Sequence, residues 1–189
     1  MTKLDEAIIF ATKAHSGQKR KLTNEQYIIH PLDVAVIVAS ITSNEDTICA
    51  ALLHDTVEDT NTSLEEIREK FGDRVAELVN IDSENKRHNL PAAQTWKIRK
   101  IESLERLKTT TDKDAKIIWL GDKLSNIRSI FEMYIKIGDK VWDAFNQKDK
   151  KEHQWYYESV VNALREEFNG TKAFYEYEKL VEYIFKDGE

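Results

Sequence analysis

The chain has 189 residues, with 28 Lys or Arg against 34 Asp or Glu for a net charge of −6, and 41% of its residues are hydrophobic. This length and balance fit one globular domain and exclude a disordered or collagen-like chain. A negative total argues against broad binding to a nucleic-acid backbone, which needs a clustered basic face, and no window approaches the roughly 20 apolar residues of a membrane span.

Six glycines and two prolines leave few strong breakers, so an all-α fold is expected, a compact helical bundle formed by one domain over residues 1–189. Leu4, Ala7, Ile8, Ala11 and Ala14 recur at helical spacing and predict a first helix ending before Gly17. The N-terminal MTKLDEAIIFATKAH, with Asp5 and Glu6 before a short apolar stretch, lacks the basic region and cleavage site of a secretion signal. A basic loop, Gln18 to Lys21, follows. Pro31 suits the first position of a second helix, continued by Val34, Ile37, Val38 and Ile41, with His30 at its N-terminal edge. The run TICAALLHDTVED, 47–59, predicts a single buried helix ending in acidic and imidazole groups. Its Cys49, the lone cysteine, reads as a small buried hydrophobe and suits a reducing, cytoplasmic location.

Ser63 and Glu66 form a capping-box pattern for a short helix that Gly72 closes, and another short helix is expected over 75–79. Residues 80–94 are polar without periodicity and predict a long mobile loop. Helical patterns resume over 96–107, 115–134, 152–168 and 171–185, with Gly170 as the last break. Residues up to about 135 carry the chemistry-bearing groups, and those from 151 to 186 read as packing helices.

His54 and Asp55 are adjacent, and Glu58 and Asp59 lie within the next turn and a half, so four ionisable groups share one helix end. Burying so many acids behind ICAALL is costly without a cation or partners; an acidic turn facing water carries the same residues at no such cost. Imidazole nitrogen with carboxylate oxygen suits Mn, Fe or Zn, and His30 and Asp122 are the natural donors of further ligands. Asp122 follows the apolar IIWLG and precedes Asn126 by four residues, which puts both on one helical face. An exposed acid paired with Lys123 is the alternative for Asp122, as a capping or core histidine is for His30.

The ordered blocks FATKAHSGQKRK, YIIHP, AALLHDTVEDT, FGDRV and LGDKLSNIRSI resemble the HD-domain metal-dependent phosphohydrolases. Within them the chain is most similar to the stand-alone small alarmone hydrolases and to the hydrolase half of the bifunctional alarmone synthetase/hydrolase enzymes, a likeness that continues through WKIRK and WYYESVVNAL. The resemblance implies a metal, usually Mn(II) with other divalent ions accepted, held by His30, His54, Asp55 and Asp122. It implies that Glu58 and Asp59 activate or orient the attacking water, and that Arg20, Lys21 and Asn126 contact the nucleotide. Lys97 and Tyr156 fall in stretches that resemble substrate-adjacent regions. Arg128 is placed to reach a phosphate or to make a surface salt bridge, and Trp142, Trp155 and Tyr157 suit core packing.

The implied reaction is release of pyrophosphate from the 3′ position of guanosine 3′,5′-bis(diphosphate) or its pentaphosphate form, by a cytoplasmic enzyme acting alone, with neither nucleic acid nor membrane as partner. The aromatic runs near the C-terminus suit a homodimer or core packing equally. A rival within the same chemistry is another nucleotide: a nucleoside monophosphate, a deoxynucleotide or the 2′-phosphate of NADPH. Retention of every acid in HDTVEDT favours the alarmone branch and opposes a non-catalytic sensor. Two departures stand out. KLTNEQYII is one residue longer than the usual spacing, with Gln26 in place of proline and no glycine. Gly121 replaces the usual alanine, an exchange expected to loosen the local helix by about 1 kcal/mol.

Overall fold

Side chains at the helix starts supply the hydrogen bonds that the first turns lack. Thr2 Oγ1 accepts from the Asp5 amide at 3.1 Å while the Asp5 carboxylate accepts from the Thr2 amide at 2.9 Å, so α1, Lys3–Ala14, opens on a closed capping box. Asn44, Ser63, Asp112, Asp149 and Thr171 cap α3 (Glu45–Leu53), α5 (Leu64–Phe71), α8 (Lys113–Ile137), α9 (Lys150–Phe168) and α10 (Lys172–Phe185), each with a side-chain oxygen that accepts from a first-turn amide. The remaining helices are α2 (Ile29–Ala39), α4 (Thr56–Asp59), α6 (Asp73–Asp82) and α7 (Ala92–Thr109). The computed structural model describes residues 1–82, 87 and 89–186, so the expected loop at 80–94 lies partly outside the described residues. Among the described residues there is no strand, only an isolated antiparallel bridge between Lys19 and Gln26, and no helix is long and apolar enough to cross a membrane.

The all-α expectation is met, and the core gathers around α8. Trp119, Leu120, Leu124 and Ile127 are buried, and the helix packs against α2, α3, α6, α9 and α10. Every residue from Ile117 to Ser125 is buried, so this stretch of the helix lies in the middle of the bundle and brings Asp122 there with it. Asp112, which caps α8, also accepts two bonds from Arg74 at 2.6 and 2.9 Å, tying α6 to the start of α8.

Several boundaries differ from the sequence expectation. α6 continues to Asp82 and α7 begins at Ala92, so both ends of the expected 80–94 loop are helical. The second helix starts at Ile29, because turn bonds from the Ile29 amide to Gln26 O and from the His30 amide to Tyr27 O extend it backwards; Pro31 still falls in the first turn, where its missing N–H costs nothing. The single helix expected over 47–59 is split at His54 and Asp55 into α3 and α4. α8 runs to Ile137, where Gly138 at φ +60° stops it, and a 3-10 turn, Gly138–Ala144, follows that the sequence pattern did not announce.

Gly121 has a packing reason. A Cβ there would lie 2.9 Å from Val38 Cγ2 and 3.2 Å from Val34 Cγ1, so the glycine lets α2 approach α8. Gly121→Ala adds about 1 kcal/mol of helix propensity, but the two β-branched valines have little rotamer freedom, and overpacking costs about 1–3 kcal/mol. Urea unfolding should show a net loss of about 0–2 kcal/mol, and the double change with Val38→Ala should cost less than the sum of the two single changes.

Candidate functional site

The break between α3 and α4 is made by side chains that take backbone acceptors. His54 Nδ1 lies 2.8 Å from Ala51 O and Thr56 Oγ1 donates to Leu53 O at 2.6 Å. A continuous helix would give those carbonyls to the amides of Asp55 and Val57, and the competition ends the helix at the HD pair. A carbonyl only accepts, so His54 Nδ1 carries a proton, and it is Nε2, facing the interior, that offers a lone pair once its own proton is lost.

Four potential ligand atoms converge there. His30 Nε2 lies 3.1 Å from Asp122 Oδ1 and 3.6 Å from Asp55 Oδ2, and His54 Nε2 lies 3.2 Å from Asp55 Oδ2 and 3.8 Å from Asp122 Oδ1. Ligands about 2.1 Å from one cation are about 3.0 Å apart at right angles and about 3.4 Å apart at the tetrahedral angle. The separations of 3.1 and 3.2 Å fall in that range and those of 3.6 and 3.8 Å lie above it, and His30, His54 and Asp122 stand out as a group able to hold an ion. His54 Nε2 is buried and makes no hydrogen bond among the described residues, although Asp55 is close by. His30 Nδ1 meets Ser125 Oγ at 2.9 Å, so each imidazole is held by the nitrogen that points away from the centre. The donor set suits a divalent cation.

The carboxylates are braced from outside. Asp122 Oδ1 accepts from Asn126 Nδ2 at 2.6 Å, while its Oδ2 pairs with the Lys123 ammonium. Asp55 Oδ2 accepts from the Tyr27 hydroxyl at 2.6 Å. Burial disfavours charge on both acids, but His54 beside Asp55 and Lys123 beside Asp122 hold both carboxyls below the usual carboxylate range. Burial lowers the His30 imidazole. On His54 burial acts the same way, but the charges of Asp55 and Asp122 outweigh it and hold that ring high.

The cage opens into a cleft. A cavity of about 210 Å³ includes the cage residues His30, Asp55 and Asp122 with Glu58, Asp59, Arg99 and Lys100. It shares Tyr27, Asp59, Lys100, Lys123 and Asn126 with a larger cavity of about 530 Å³ that Lys19, Arg20, Lys21, Leu22, Trp96 and Tyr156 help to line. Arg20 Nη2 donates to Asn126 Oδ1 at 3.1 Å and to Ser129 Oγ at 3.2 Å, which joins the basic loop through Asn126 to Asp122. The loop is shaped by Arg20 N bonding Glu25 O and Asn24 N bonding Arg20 O, with Asn24 at φ +59°; asparagine tolerates that left-handed backbone, so the segment manages without glycine. Tyr156 is buried, its hydroxyl makes no hydrogen bond among the described residues, and Lys100 Nζ lies 4.9 Å from its ring centroid.

Residues 7–149 match the HD-domain family. The chain belongs to the HD-domain family. It is 41% identical over 128 residues to a protein of Aquifex aeolicus named guanosine-3′,5′-bis(diphosphate) 3′-pyrophosphohydrolase, covering 68% of this chain and 18% of that one. It is 33% identical over 132 residues to a GTP pyrophosphokinase of Myxococcus xanthus, covering 69% of this chain and 17% of the relative. The chain thus spans less than a fifth of the length of these curated relatives. Among solved structures, a metazoan ortholog of SpoT described as hydrolysing ppGpp superposes with a TM-score of 0.78 at 26% identity, over 97% of this chain and 96% of that one. A protein of Listeria monocytogenes EGD-e superposes at 0.72 with 34% identity, over 88% and 99%.

Within this HD-domain protein, Glu58, Asp59, Arg20, Lys21, Asn126 and Tyr156 all line the cleft beside the four candidate ligands. Lys97 and Arg128 are placed elsewhere. The Lys97 ammonium sits on Glu152 and 3.4 Å from the Trp155 ring centroid. Arg128 is spent on Glu176 and Asp33 at 2.7–3.0 Å, the salt-bridge alternative. Helical periodicity separates Lys97 from its neighbours, because Trp96, Lys100 and Ser103 recur on the cleft-facing side of α7 and Lys97 lies off that stripe. Trp142 stacks on His153 and Phe185 as a core residue, whereas Tyr157 is buried and lines the larger cavity as well. Tyr27 had no role in the sequence expectation, although YIIHP contains it, and Lys123 entered only as the partner of an exposed Asp122; the pair does form, but both residues are buried at the cleft.

Proposed function

We propose that this HD-domain protein is a Mn(II)-dependent hydrolase that removes the 3′-pyrophosphate of guanosine 3′,5′-bis(diphosphate) or its pentaphosphate form, acting as a stand-alone enzyme. The observation that carries the reading is the continuity of the pocket around His30, Asp55 and Asp122 with a basic, aromatic-walled cleft through Asp59, Lys100, Lys123 and Asn126. The names of the Aquifex and metazoan relatives point to the same substrate. His30, His54, Asp55 and Asp122 would hold the ion. When bound, a divalent cation supplies Lewis-acid polarisation of the phosphoryl group and makes a nearby water more acidic.

The protein's own groups supply the rest. Glu58, on the wall of the smaller cavity, takes a proton from the attacking water, and Asp59 orients that water. The water oxygen bonds to phosphorus, the bond from that phosphorus to the ribose 3′ oxygen breaks, and the ribose keeps a hydroxyl after protonation. Lys100 and Lys123 offset the phosphate charge, while Arg20 and Lys21 draw a polyanion towards a chain whose net charge is −6.

Purified protein given guanosine 3′,5′-bis(diphosphate) should release pyrophosphate with Mn(II), stop on chelation and resume when Mn(II) is restored. NADPH and common nucleotides belong alongside. Phosphate freed from one of these, with nothing released from the guanosine compound, would reassign the site to another nucleotide.

A further inference from the structure

The Tyr27 hydroxyl touches both functional groups of acids. It lies 2.6 Å from Asp55 Oδ2 and 3.2 Å from Asp59 Oδ2, and Asp55 Oδ2 is the same oxygen that faces the imidazoles of His30 and His54. A phenol has one proton to give, so the short bond to Asp55 takes most of it and the longer one to Asp59 shares it, and a single hydroxyl links a candidate metal ligand to one of the acids beside it.

The surroundings fix that hydroxyl in place. The His15 ring packs on Tyr27 with centroids 4.8 Å apart, and the His30 ring meets it edge-on at 5.9 Å. The Tyr27 amide donates to Gln18 O at 3.0 Å. Gln18 in turn bridges His15 Nδ1, 2.8 Å from its Oε1, and Asp59 O, which accepts from its Nε2 at 2.7 Å. Tyr27 and Asp59 are therefore anchored to the same short segment after α1. This is more bracing than a wall residue requires.

We propose that Tyr27 is a positioning residue whose hydroxyl sets the orientation of Asp55 and Asp59 together, so that cation retention and orientation of the attacking water depend on one side chain. The Asp59 half rests on the proposed hydrolase function; the Asp55 half concerns the cation alone. Without the hydroxyl, two like charges face each other across the gap it had bridged, and Asp55 loses the bond that aims its ligand oxygen. Removing such an outer partner of a metal ligand typically costs about 10–100-fold in metal affinity or activity.

The test compares Tyr27→Phe, which keeps the ring, with Tyr27→Leu, which removes it. Metal-stripped proteins are titrated with Mn(II) by calorimetry or by the electron paramagnetic resonance signal of the free ion. Tyr27→Phe should bind Mn(II) about 10–100-fold more weakly than wild type, with the thermal midpoint of the metal-free protein lowered by only a few degrees, the cost of one lost hydrogen bond. At saturating Mn(II) its kcat should fall about tenfold or more while KM stays within about threefold. Wild-type Mn(II) affinity in Tyr27→Phe, with loss confined to Tyr27→Leu, would overturn the proposal, because ring packing would then suffice. The titration needs no substrate, so a wild-type protein that binds Mn(II) but leaves guanosine 3′,5′-bis(diphosphate) intact refutes the substrate and not the role of Tyr27.

Discussion

Asp122→Ala should bind no Mn(II) at concentrations that saturate the wild type, and its turnover should fall by about 10³-fold or more, the equivalent of the several kcal/mol that a catalytic cation supplies. The size of the effect follows from how much converges on this one carboxylate. Its Oδ1 faces His30 at 3.1 Å and His54 at 3.8 Å and accepts from Asn126, and its Oδ2 pairs with Lys123. Losing it opens the cage and also frees Asn126, the link to Arg20, from its anchor. Stability should fall as well. Removing one partner of a buried ion pair costs about 3–5 kcal/mol, and relief of repulsion with Asp55 returns part of it, so urea unfolding of the metal-free protein should show a loss of about 2–4 kcal/mol. Asp122→Asn separates charge from shape: it should recover part of the stability and none of the metal binding. An Asp122→Ala protein with wild-type Mn(II) affinity would place the cation site elsewhere.

The candidate ligands were legible because each lies beside a feature that sequence reports well. His30 adjoins a helix-start proline, His54 and Asp55 end an apolar run, and Asp122 ends another in α8, the helix around which the core gathers. The capping residue Ser63 likewise fixed a helix start through a bond local in sequence. What was not legible depends on contacts between distant segments or on side chains competing with the backbone. The split at His54 arises because His54 and Thr56 take carbonyls, an outcome that hydrophobic periodicity does not encode. Lys97 and Arg128 looked available for phosphate until Glu152 from α9 and Glu176 from α10 claimed them. Gly121 read as a local weakness because the valines of α2 that it accommodates are more than 80 residues away in the chain. Tyr27 escaped notice for the same reason: its position before HP is visible, but its two carboxylate partners come from α4 and the turn before it.

Glu58→Gln should separate chemistry from metal binding. Glu58 lies one helical turn after Asp55 and lines the smaller cavity, yet it is not among the four atoms that converge on the cage. Its amide replacement keeps volume and polarity, so Mn(II) affinity should stay within about threefold, whereas turnover should fall by about 10²–10⁴, the usual contribution of a positioned general base. KM should change little, because what is removed acts as the proton moves and not while substrate binds. Asp59→Asn makes the contrast. Asp59 already accepts from Tyr27, and its backbone is held by Gln18, an arrangement that suits orientation better than proton uptake, so its loss should cost less in kcat than loss of Glu58. The reverse order, with Glu58→Gln near wild type and Asp59→Asn inactive, would move the proton acceptor to Asp59 and make the Tyr27 hydroxyl its direct regulator.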